Sequence, residues 1–204
     1  VCGASPSCTS GFPVPSSHDR STPYGASGID GYSIEAIYRL TNPVISPVGV
    51  GLYIEPTVGK LKKEIEARLM LQSNFMDDRL IVAGNIVFAN EQLKFLGEGH
   101  VPESMFDVLI GMSYRFAPKW FSGIEARWHN DFARYNLKEQ TQRQIFVGPN
   151  LHYAEKDWWV TAAMRYQPKG GKCYGDGTGE CSDDRVWDSH SRTEMMFKVG
   201  LPIR

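Results

Sequence analysis

Residues 120 to 132 read WFSGIEARWHNDF and alternate strictly with a period of two. One register holds Trp120, Ser122, Ile124, Ala126, Trp128, Asn130 and Phe132; the other holds Phe121, Gly123, Glu125, Arg127, His129 and Asp131. A two-residue period places successive side chains on opposite faces of a β-strand. The stretch therefore predicts a strand with an apolar, aromatic-ended face and a face of acids and bases.

Composition bounds the rest. The chain has 204 residues, 42% hydrophobic and 12% aromatic, enough for one substantial folded domain. Its 22 basic and 23 acidic residues nearly cancel, so no nucleic-acid partner is expected. No run approaches the ~18 apolar residues of a spanning helix. The opening VCGASPSCTS lacks the basic-then-apolar layout of a signal peptide, which fits a mature or partial product. Cys2 and Cys8 bracket one small-residue loop, and Cys173 and Cys181 bracket a second, rich in Gly and Asp. Two close pairs read as two local disulfides formed in an oxidising compartment; CxxC spacing is absent, which disfavours zinc.

Residues 1–31, rich in Ser, Pro and Gly, read as a loop segment, and 32–204 as strands. The same alternation recurs at 32–42, 49–58, 64–74, 104–116, 144–154, 158–167 and 191–203, while 80–89 is apolar on both faces. With the opening stretch this gives about nine strands of roughly ten residues, longer than the ~5–6 usual in soluble sheets. Tight turns at 76–79, 117–119 and 155–157, and a slightly longer one at 42–47, alternate with longer loops at 90–103, 133–143 and 168–190. Long strands joined by short turns at one end and long loops at the other predict an all-β, antiparallel transmembrane β-barrel. The competing fold is a secreted β-sandwich or a lipocalin-like binding domain, in which the apolar face would be the core.

DGYSIEAIYRLTNP, GLYIEPTVG with KEIEARLMLQSNFMDDRLIVAGN, ESMFDVLIGMSYRFAPKWFSGIEAR and FVGPNLHYAEKDWWVTAAMRYQ together resemble an uncharacterised family of Gram-negative outer-membrane β-barrel proteins. The resemblance covers residues 28 to 167 and, more loosely, the last strand. It implies a fold and a location in the bacterial outer membrane, with no established activity. The chain departs from such barrels in ending LPIR, where an aromatic residue is common.

On this reading the apolar register faces lipid. Glu35, Glu55, Glu64, Glu66, Asp107, Glu125 and Glu194 point inward, with Arg39, Arg68, Arg115, Arg127, Arg165, Arg192 and Lys198. Seven acids against seven bases suggest a cross-linked interior network rather than a pore selective for one sign of charge. The expected function is that of a non-enzymatic outer-membrane barrel, a narrow pore or a structural, partner-binding membrane protein. No cofactor is expected.

A hairpin pairing Phe132 near Arg143 would separate His129 from His152 by about six strand positions, roughly 20 Å, too far to share a metal. The same register sets Ser113, Gly123 and His152 side by side with Asn150 nearby. Serine, histidine and asparagine are the groups of nucleophilic hydrolysis, so a membrane-embedded lipid hydrolase is the alternative function. Against it, Gly123 leaves Ser113 and His152 two strand spacings apart, about 9.5 Å. Asp176, Glu180, Asp183 and Asp184 in the cysteine loop are oxygen ligands of a kind that suits calcium, without full EF-hand spacing.

If long loops face outward, an odd count of strands places the first strand's start outside the cell, together with residues 1–31. Single-chain bacterial barrels have even strand numbers. The expectation is therefore a barrel of 10 or 12 strands, whose missing one or three come from an upstream segment or another chain.

Overall fold

A computed structural model describes residues 31–59, 62–94, 100–174, 181–186 and 192–201. Among them there is no helix. The strands are β1 (Gly31–Ser33), β2 (Ala36–Thr41), β3 (Gly49–Gly59), β4 (Lys62–Phe75), β5 (Leu80–Lys94), β6 (His100–Ala117) and β7 (Trp120–Ala133). They continue as β8 (Gln140–Ala154), β9 (Trp159–Tyr166), β10 (Lys172–Cys173), β11 (Cys181–Ser182), β12 (Arg185–Val186) and β13 (Thr193–Gly200).

β1 and β2 both pair with β3, on either side of Ile34 and Glu35, so they fill one position of the sheet. The antiparallel path then runs β3-β4-β5-β6-β7-β8-β9-β13, giving nine positions that match the nine strands expected from the sequence. These strands form one curled half-barrel that is open, not two packed layers. Among the described residues no pairing joins β2 to β13.

Alternation sorts the side chains as the period demands, but burial is inverted relative to a soluble sheet. Ile65, Leu69, Ile110 and Ile124 stand 51%, 36%, 59% and 57% exposed on the convex face, while Glu66, Asp107 and Asp131 are buried on the concave one. Tight turns use the left-handed backbone. Met76, Asp77 and Asp78 have φ of 57°, 54° and 59°, and Lys119 follows Pro118 with φ 70°, the pattern of a type II turn.

Three of the expected loops need correction. The expected loop at 90–103 is largely ladder and that at 133–143 is partly so: β5 runs to Lys94, β6 starts at His100, β7 ends at Ala133 and β8 starts at Gln140. These extensions carry polar residues, so they lack the apolar alternation that marks the middle of each strand. The expected loop at 168–190 also contains short strands: β10 continues along the edge of β8, and β11 and β12 form a two-residue hairpin turning at Asp183 and Asp184, φ 55° each. Residues 1–30, with Cys2 and Cys8, lie outside the described residues.

Candidate functional site: the charged concave face

Two glycines shape the middle of this face. Register places Glu125 of β7 opposite Gly148 of β8, and Arg165 reaches from β9 across that glycine to bond Glu125 Oε1 at 2.7 Å. A Cβ on Gly148 would lie 1.6 Å from the Met164 carbonyl oxygen, so only glycine permits this approach. Gly123 does the same one row away, where Ser113 Oγ and Asn150 Oδ1 face each other across it at 3.4 Å.

That row corrects the expected register. Gly123 pairs with Asn150, not His152: Phe132 pairs with Gln140, three residues from Arg143, and a one-residue bulge between Asp131 and Phe132 leaves the rest of the β7–β8 ladder two residues from the expected register. His152 instead pairs with Phe121, bonds Thr161 Oγ1 at 2.7 Å through Nδ1, and packs between the rings of Phe121 and Trp159. Ser113 and His152 are therefore not side by side, and the hydrolase arrangement loses its histidine. His129 pairs with Gln144, eight positions along β8 from His152, or about 26 Å.

At the long-loop end the face is densest. His129 is buried between two carboxylates, Nδ1 lying 2.8 Å from Asp107 Oδ1 and Nε2 2.7 Å from Asp131 Oδ2. Arg127 Nε bonds Asp107 Oδ2 at 2.5 Å, and Gln142 Nε2 donates to Asp131 at 2.5 Å. The fully buried ring of Phe146 lies beneath Arg127 and against His129. Buried charges persist only when paired and hydrogen-bonded, and here each carboxylate meets a cation or an amide.

The cysteine segment is fastened over β8. Cys173 is disulfide-bonded to Cys181. Gln167, fully buried, donates to the Val186 carbonyl at 2.8 Å and accepts from the Val186 N–H at 2.9 Å. Arg185 Nε donates to the Gln167 carbonyl at 3.0 Å, and Gln144 donates to the Pro168 carbonyl at 2.9 Å.

Among the other inward residues expected from sequence, Glu66 bonds Arg68, whose guanidinium also covers the Tyr53 ring. Tyr53 donates to Glu55 and, at 3.4 Å, to Glu35. Glu64 pairs with Lys62, Arg115 donates to the Asp77 carbonyl at 3.3 Å, and Arg192 donates to the Tyr166 hydroxyl at 3.2 Å. Arg39, Glu194 and Lys198 stand on the edge strands β2 and β13. Asp183 and Asp184 sit at a hairpin turn, while Asp176 and Glu180 lie outside the described residues. No group of three potential metal ligands occurs among the described residues.

Sequence reasoning missed Lys62, Glu91 and Gln142 as parts of this face, and left His129 and Asp131 out of its count of inward charges. Lys62 contacts Glu91 at 3.3 Å. His129 and Asp131 share the register of Glu125 and Arg127, so parity places them on the same face. Glu91 and Gln142 were hidden in supposed loops. The additions are two acids, Glu91 and Asp131, two basic side chains, Lys62 and His129, and the neutral Gln142.

The class defined by this geometry is an open, curled, all-antiparallel sheet with a charged concave face and an apolar convex one. Residues 17–203 match the model of a family of unknown function, DUF6662, and the chain belongs to that family. No curated protein and no solved structure matches it.

Proposed function

We propose that this chain forms most of the wall of a bacterial outer-membrane β-barrel without catalytic activity. It would serve as a narrow pore or as a structural, partner-binding membrane protein, its lumen narrowed by ion pairs and by the disulfide-closed hairpin. The inverted burial carries this reading: a sheet that exposes Ile65, Ile110 and Ile124 while burying Glu66, Asp107 and His129 is suited to an apolar solvent outside. The apolar register of β7 from Trp120 to Trp128 spans eight residue steps, about 26 Å of strand. Beyond it the outer register turns polar: Ser104 donates to Asn90 at 2.7 Å and Gln140 donates to Asn130 at 2.9 Å. Tilted by ~40°, that stretch gives a band of about 20 Å, near the ~25 Å of outer-membrane barrels. At the other end, the rings of Trp120, Tyr153 and Trp158 pack against one another at tilted angles, as an interfacial aromatic group would.

Lipid is then the partner of the convex face, and strands from outside residues 31–204 complete the wall, since open edges leave backbone groups unpaired in lipid. The test is whether the purified protein partitions into detergent and migrates faster on gels before heating than after. Soluble behaviour with no heat-dependent shift would contradict the reading. Conductance in planar bilayers separates a pore from a purely structural role.

A further inference from the structure

The two edge strands of the sheet, which are unpaired on their outer side among the described residues, carry the same order of charge. β2 and β13 hold the first and ninth positions of an antiparallel path, so they run in the same direction. Glu35, which faces the Tyr53 hydroxyl, is followed four residues later by Arg39, two residues before β2 ends. On β13, Glu194 pairs with the inward Arg165 and is followed four residues later by Lys198, two residues before that strand ends. Each edge thus presents an inward acid toward the long-loop end and an inward base toward the tight-turn end. The outward register is apolar on both: Tyr38 is 68% exposed, Met195 81% and Phe197 71%, more than Ile124 within the sheet, because each lacks a neighbouring strand on one side among the described residues.

We infer that the partner of these edges is a polypeptide strand running antiparallel to β2 and β13, with an inward acid followed four residues on by an inward base and apolar residues between. The inference rests on the membrane reading. Entering from the tight-turn end, such a strand sets its acid beside Arg39 or Lys198 and its base beside Glu35 or Glu194, the cross-strand pairing that stabilises a sheet. One strand satisfies both edges at once; with three, the two outer ones each carry the pattern. A second copy of this chain fits poorly. Coaxial copies would lay β13 parallel to the neighbour's β2, bringing acid to acid and base to base. Residues 1–30 do not supply the pattern either, since neither Asp19 nor Asp30 has a base four positions on.

The experiment refolds the chain in detergent micelles with one of two synthetic strands, one containing Val-Glu-Val-Thr-Val-Lys-Val and the other the same sequence with Glu and Lys exchanged. Closure is read from the heat-dependent gel shift and from amide exchange at residues 36–41 and 193–200. The acid-first strand is expected to act at concentrations at least tenfold lower. A chain carrying E35K, R39E, E194K and K198E is expected to reverse the preference. Equal response to both strands in a chain that does enter micelles would overturn this inference alone, as would efficient disulfide linkage between Tyr38→Cys of one copy and Phe197→Cys of another. Failure to enter micelles at all would overturn the membrane reading and this inference with it.

Discussion

Arg165 and Glu125 form a 2.7 Å ion pair across a strand that contributes only a glycine, Gly148, between them. The relationship joins β7 to β9 and makes the concave face a braced surface rather than a row of independent charges. Both side chains are about a quarter exposed, so neither full burial nor free solvation sets the energy. A double-mutant cycle with Glu125→Gln and Arg165→Gln should give a coupling of about 0.5–3 kcal/mol in refolding titrations. Gly148→Val should cost more than either, because its side chain meets backbone that cannot move aside.

Gln167 is the clasp of the disulfide-closed hairpin. Truncation to Ala strands the N–H and C=O of Val186, each buried, at a cost of about 1–3 kcal/mol. Limited proteolysis should then cleave the 168–190 segment faster while the ladders from β3 to β8 stay protected. Unchanged cleavage would show that the clasp does not hold the hairpin.

Cys173 and Cys181 close a short loop, worth about 2–3 kcal/mol on the chain-entropy estimate. Reduction should sensitise the hairpin locally, and more so in Gln167→Ala. Mass spectrometry of an unreduced digest should recover the Cys173–Cys181 linkage; a Cys2–Cys173 linkage would refute it.

How far the fold was legible depends on what each residue had to satisfy. The nine strand positions were visible because the middle of each strand must separate apolar from polar side chains. Strand ends were not: beyond Trp128 the outer face of β7 carries Asn130, and Gln142 looks like loop material until β10 pairs beside it. The Ser113–Gly123–His152 row failed because Phe132 pairs with Gln140 and not Arg143, and the polar start of β8 has no signature in hydropathy. Parity marked His129 and Asp131 as inward, yet only the ladder between β6 and β7 sets Asp107 opposite His129.

At the tight-turn end, Lys119 Nζ bonds both oxygens of Glu155, at 2.7 and 2.8 Å, tying two turns together. Lys119 first, and then the Tyr153 hydroxyl, holds the Glu155 carboxyl below the ordinary carboxylate range. A depressed folded value contributes stability above the unfolded pKa of ~4.3, and that stability is lost as pH falls through the folded value. Exchange of the Ala154 amide, which donates to the Lys119 carbonyl at 3.0 Å, should therefore accelerate on acidification. Glu155→Gln should remove that pH response.

The central claim is that the convex face meets lipid, and arginine placement in lipid bilayers tests it most directly. Leu69→Arg and Ile124→Arg put a charge on the convex face, whereas Gln72→Arg puts one on the concave face, where Gln72 bonds Asn74 at 2.8 Å. Refolding titrations in bilayers should show the first two destabilised by ~2–4 kcal/mol and the third only mildly. Equal tolerance at all three positions would contradict the account.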